Sequence, residues 1–379
     1  MRYLAILLLP FVLIGAINEA ALKKIIDRYH ETESDALRIE IDGRPVLELG
    51  KEKPIEIMSI TKSVVNLAVG ILVDQGKIES IDTPLSSYYP EFIEGEKKNI
   101  TIRHLLNHTS GIKNFTSIDE GAFDPNFIQS ALNAPITHKP GTRFLYNNRA
   151  VNLLSGIVEK AAGKPLDLFV EEYLFAPLEI DKYYWNKDFS GNPWGMAGLE
   201  ISARSLSKIG QLVLNEGVYN GIRVVSKEWL EESLSAGQQL NNSCGLLWWL
   251  DRDQKGYWPK ELLAVYRENG ISEDVIEALE KLEGRPVPLS LQSLVSVFGS
   301  IELHRKYKFE VLTRGLEESV VLPGTIVGYR ADGYLGQYLL IIPKDNIVAV
   351  RQFKHGKKPD DEVDCFEDFV TLVHQLVVK

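Results

Sequence analysis

The sequence predicts an α+β fold: an antiparallel sheet flanked by helices, with a helical lobe inserted between its parts. Three observations predict it. Strand patterning concentrates at the two ends of the chain, and the stretch from about Ser59 to Leu234 reads mostly as helices and loops. The C-terminal strands are joined by connections too short for parallel pairing.

In chain order, Ala20 to His30 has helical periodicity, with Leu22, Ile25 and Ile26 on one face. Leu37, Ile39 and Ile41 then alternate with polar residues, Asp42-Gly43 is a tight-turn signal, and Val46, Leu47 and Leu49 resume the strand. Ser59 heads a helix of Val64, Val65, Leu67, Ala68, Val69, Ile71, Leu72 and Val73 that ends at Gly76. Apolar all round, that helix can only be buried. Strands are expected at Gly245 to Leu250, Thr325 to Arg330, Gly336 to Ile342 and Ile347 to Phe353, and a helix at about Asp361 to Val378. Between Leu250 and Thr325 the strand rhythm stops, and helix-like stretches appear at Ser272 to Leu282 and Ser290 to Leu303. This is read as an insertion, residues 251–320, between two sheet strands.

The composition, 45% hydrophobic and 25% charged over 379 residues, is that of a globular protein. It excludes a disordered, collagenous or disulfide-scaffold chain. Cys244 and Cys365 allow one disulfide or two free thiols. The net charge of −10 opposes a nucleic-acid partner, and the densest cationic group, Lys354, Lys357 and Lys358, reads as a solvated turn. A small-molecule or peptide substrate is expected instead. Met1 and Arg2 precede a stretch from Tyr3 to Asn18 without charge. That is short for a membrane span of about 20 residues and suits an export signal, with Ala16 at the cut. Residues 1–18 are therefore expected to be a signal peptide or N-terminal anchor, and residues 19–379 one exported domain, periplasmic or secreted. Membrane contact is expected only through the N-terminus.

A nucleophilic serine needs a base within hydrogen-bond reach, and S-x-x-K on a helix supplies one. The pattern occurs three times: Ser59 with Lys62, Ser110 with Lys113, and Ser205 with Lys208. Ser110 precedes a glycine in a loop, and Ser205 lies inside an amphipathic helix begun by Ser202. Only Ser59 opens a buried helix, whose N-terminal N–H groups and dipole favour an oxyanion and a lowered lysine pKa. The competing reading is that Ser59 is only a helix cap. Downstream, Pro140 to Asn148 holds a Y-x-N arrangement, Tyr146 and Asn148.

S-x-x-K followed by P-G-x-x-F and Y-x-N resembles the serine β-lactamase and penicillin-binding-protein superfamily, in its class C β-lactamase-like branch. Ile102 to Ile112, with R-H-L-L-x-H-T-S-G, and Gly198 to Leu206, with S-A-R, also resemble that branch's signatures. The resemblance implies a β-lactamase/transpeptidase-like fold and a serine hydrolase needing no cofactor. Ser59 would be acylated, Lys62 and Tyr146 would transfer its proton, and Asn148 would hold the substrate amide or the lysine. The third motif falls at Ala331-Asp332-Gly333. There Gly333 lets the strand approach, and the Tyr334 N–H would join that of Ser59 in an oxyanion hole, but the family's cation is missing: Ala331 stands in its place, and Asp332 is expected to add negative charge. An esterase, amidase or peptidase is thus expected rather than an efficient β-lactamase. The alternatives are a true class C-like β-lactamase or D-alanyl-D-alanine carboxypeptidase, and a catalytically weak penicillin-binding-type sensor.

Two further features are read as structural. His104 and His108 are spaced i, i+4 like a metal pair, but the accompanying Glu and a third ligand are missing, so no metal is expected. Trp248 and Trp249 read as core residues rather than a ligand platform.

Overall fold

The computed structural model describes residues 17–115, 124–289, 291–322, 324–354 and 366–378. Residues 1–16 of the expected leader and Cys365 lie outside the described residues, and Cys244 is a buried free thiol. No helix among the described residues is long and apolar enough to cross a membrane. The described residues form two compact units, one drawn from 26–250 with 328–366, the other from 17–25 with 251–327 and 367–378. The helix read at Ala20 to His30 is Glu19–Glu31.

A six-stranded sheet is built from β1 (Ala36–Ile41), β2 (Arg44–Gly50), β3 (Trp249–Arg252), β4 (Ile326–Gly333), β5 (Gln337–Ile342) and β6 (Ile347–Gln352). Its order is β2-β1-β6-β5-β4-β3. The pairs from β2 across to β4 are antiparallel, and Ile39 stands opposite Ala349. The β1–β2 turn places both Asp42 and Gly43 at positive φ, as a hairpin that follows the sheet's twist requires. Every residue of β1 is buried, although its alternation suggested one wet face. The helix Ala203–Leu214 explains this. Its Ser207 and Gln211 side chains reach the Glu40 carboxylate at 3.0 and 2.8 Å, and Arg38 donates to Glu40 at 2.6 Å. A polar face of β1 is thereby satisfied without water. On the same helix Gly210 passes so close to Val348 that a Cβ would lie 2.5 Å from its side chain.

The apolar helix is Thr61–Asp74, buried from Thr61 through Leu72. The strand expected at Gly245 to Leu250 begins only at Trp249. Gly245 abuts the Ser233 carbonyl and Leu247 has φ +58°, so the backbone there cannot run extended.

The second unit has its own core around Trp258, Tyr266, Val275, Leu279, Phe298, Tyr307 and Val311. Its segment 251–327 holds four helices among the described residues where two were expected: Lys260–Glu268, Glu273–Glu280, Leu291–Phe298 and Ile301–Thr313. The expected run from Ser290 to Leu303 is broken because Gly299 takes φ +76° and Ser300 caps the next helix by accepting the Leu303 N–H. Of the helix expected at Asp361 to Val378, Phe369–Val373 is helical, and 361–365 lie outside the described residues.

Candidate active site

Ser59 lies in a single 3₁₀ turn, Met58–Ile60, that leads into the buried helix. No side chain caps that turn or the helix. The hydroxyl of Ser59 is therefore not spent as an N-cap. It accepts instead from the Lys62 Nζ, one turn on, at 2.8 Å. Met58 is held at φ +50°, a strained conformation just before the serine. Lys62 is 2% exposed, and burial pushes its ammonium below the usual lysine range, with Tyr146 acting in the opposite direction. Its second partner is the Met196 carbonyl, at 2.6 Å. Asn152 fixes that carbonyl's segment by accepting the N–H groups of Gly195 and Met196, each at 3.0 Å.

Tyr146 stands over this pair. The Lys62 Nζ is 5.0 Å from the centre of its ring. The ring lies between that of His108, 4.5 Å away, and that of Trp249, stacked at 6.2 Å. Ser59, Lys62, His108, Tyr146, Cys244, Trp248, Trp249, Ala331 and Asp332 all line one cleft. Trp248 is buried core as expected, its indole donating to the buried Asn66 while it also borders the cleft; Trp249, also read as core, is only half-buried and stacks on Tyr146.

Asn148 begins the helix Asn148–Ala162, and its Oδ1 is buried with no hydrogen-bond partner among the described residues. Lys62 turns to Met196 rather than to Asn148 for its backbone support. At the end of β4, a Cβ on Gly333 would lie 2.5 Å from the Ile57 carbonyl. Only glycine lets this strand come so close to the serine's segment. Tyr334, next in sequence, is exposed. Asp332 was expected to add negative charge to the cleft. It forms an ion pair with Arg330, two residues back on the same strand face, so that charge is compensated.

The other two motifs do not assemble. Ser110 accepts the Ile112 N–H, and Lys208 donates to the Glu179 carbonyl rather than to Ser205. His104 and His108 each engage Nδ1 with a backbone N–H, of Thr101 and of Asn147. Among the described residues no group of three His, Cys, Asp or Glu side chains is placed to hold a metal.

Residues 22–368 match the family model described as Beta-lactamase. The chain belongs to this family. Its similarity to curated members is partial: 31% identity over 156 residues to the esterase EstB of Burkholderia gladioli, covering 36% of this chain and 38% of that protein. To the 6-aminohexanoate-dimer hydrolase of Paenarthrobacter ureafaciens it is 26% identical over 201 residues, covering 48% and 51%. The chain thus spans between about a third and a half of the length of these relatives. A penicillin-binding protein of Bacillus halodurans superposes with a TM-score of 0.58 at 16% identity, covering 92% of this chain and 99% of that one. This places the chain in the β-lactamase/transpeptidase-like fold. Met196 carried no signal in the sequence, since its contact with Lys62 is made by a backbone carbonyl, which leaves no residue signature.

Proposed function

We propose that the chain is an exported serine hydrolase of the class C-like branch, acting on a small-molecule or peptide ester or amide through an acyl-enzyme on Ser59. The Lys62 to Ser59 hydrogen bond carries this reading, because burial favours the neutral lysine that a base must be. Lys62 takes the Ser59 proton as Oγ bonds to the substrate carbonyl carbon, whose π pair moves onto oxygen. The intermediate collapses, and the leaving alcohol or amine departs with a proton passed through Lys62 and Tyr146. Water then adds to the acyl group, returns a proton to Ser59 and releases the acid. The N–H groups of Ser59 and Tyr334 are the proposed oxyanion donors, and Asn148 the proposed amide contact. Residues 1–18 are proposed as the leader or anchor, and 19–379 as one hydrolase domain with the insertion 251–320.

Substrate charge follows from Ala331, which lines the cleft where the superfamily carries a cation. A carboxylate there forfeits a charge-assisted hydrogen bond of roughly 1.5 to 3 kcal/mol, or about ten- to a hundredfold. The Arg330 pair removes repulsion by Asp332 but does not restore that bond. A neutral short-chain aryl ester should therefore be hydrolysed with higher kcat/KM than a chromogenic cephalosporin, with Ala331→Lys narrowing the gap. A clear preference for the cephalosporin would reverse the assignment toward a true β-lactamase.

A further inference from the structure

We infer that His108 is the positioning residue for Tyr146, holding the tyrosine against the Ser59–Lys62 pair through three contacts. The inference rests on the serine-hydrolase reading above and adds to it a residue outside the motifs that carry catalysis. The hold has two backbone contacts and one ring contact. The Leu145 N–H donates to the His108 carbonyl at 2.9 Å, and the Asn147 N–H donates to His108 Nδ1 at 3.2 Å. The residues on either side of Tyr146 are thus tied to one residue. Its own ring rests on the imidazole, 4.5 Å between centres with the planes inclined by 39°.

Several facts favour a clamp over simple filler. His108 is 3% exposed and occupies the left-handed region at φ +59°, which a residue with a side chain adopts at some strain. An apolar residue of the same size would fill the volume. It would leave the buried Asn147 N–H without an acceptor, a loss that neither packing nor solvent repairs. Since Nδ1 accepts, the proton of the neutral ring sits on Nε2. Burial and the neighbouring Lys62 push the imidazole down to about 3, so it remains an acceptor throughout the neutral range. Asn147 extends the arrangement: its side chain donates to the Ile112 carbonyl and accepts the Ala150 N–H, capping the helix that begins at Asn148. Tyr146 is therefore fixed between a clamped loop and a capped helix.

The test is a double-mutant cycle on an aryl ester. His108→Leu, which keeps volume and loses the acceptor, should lower kcat at least tenfold with KM changed less than threefold. His108→Asn, whose amide oxygen can accept the Asn147 N–H, should recover most of that loss. In a Tyr146→Phe background the His108→Leu change should cost less than threefold further, because His108 acts through the tyrosine. Losses that multiply fully in the double mutant, in variants whose circular dichroism and unfolding midpoint match the parent, would overturn the inference. So would equal activity of the Leu and Asn variants. If Tyr146→Phe alone retains full activity, the catalytic reading itself falls, and the clamp with it. That outcome is separate from a multiplicative cycle, which overturns the clamp alone.

Discussion

Gly333 shows how much of the candidate site rests on single atoms. The Ile57 carbonyl that its missing Cβ would strike is backbone, and Ile57 is itself tied by its N–H to the Leu199 carbonyl. It cannot yield as a flexible side chain would. Gly333→Ala should therefore shift the strand from the Ser59 segment, lowering stability by about 1 to 3 kcal/mol and kcat/KM by about a hundredfold. Urea unfolding and steady-state kinetics measure the two separately, and full activity in a folded variant would show that the close approach has no part in the site. At this scale the sequence was informative where chemistry is carried by side chains at fixed spacing. Ser59 and Lys62 lie one turn apart, so their contact was legible. Asp332 was misjudged because its charge depends on Arg330, whose ion pair becomes visible only once the strand places both on one face.

At the scale of elements, the helix Ile301–Thr313 raises a question of its own. His304 is buried on it with neither ring nitrogen hydrogen-bonded among the described residues, and burial holds its pKa below the usual histidine value. The sign follows directly. A lowered folded-state pKa means that the unfolded chain binds the proton more readily, so the stability is present above the ordinary value of about 6.5 and is lost as pH falls below it. His304→Leu should remove both the unsatisfied nitrogens and this pH dependence. The variant is expected to be at least as stable as the parent at pH 7.5 and more stable at pH 5.5, in urea unfolding at the two pH values. Destabilisation at both would mean that the imidazole has an essential partner. Periodicity located helices in this unit but not their ends, because the break at Gly299 is set by one backbone dihedral that the surrounding apolar pattern conceals.

Over the whole molecule, the sheet was legible as a class because its strands alternate and its later loops are short. The pairing of β1 with β6, from opposite ends of the chain, depends on register and on the covering helix Ala203–Leu214, neither of which local patterning specifies. The catalytic assignment joins the same distant segments, since the serine, the tyrosine and the Ala331 strand come together only in the folded unit. Its most direct test is covalent labelling. A fluorophosphonate probe followed by peptide mass spectrometry should modify Ser59 alone, and Ser59→Ala should abolish both labelling and turnover; label on Ser110 or Ser205, or turnover that survives Ser59→Ala, would contradict the account.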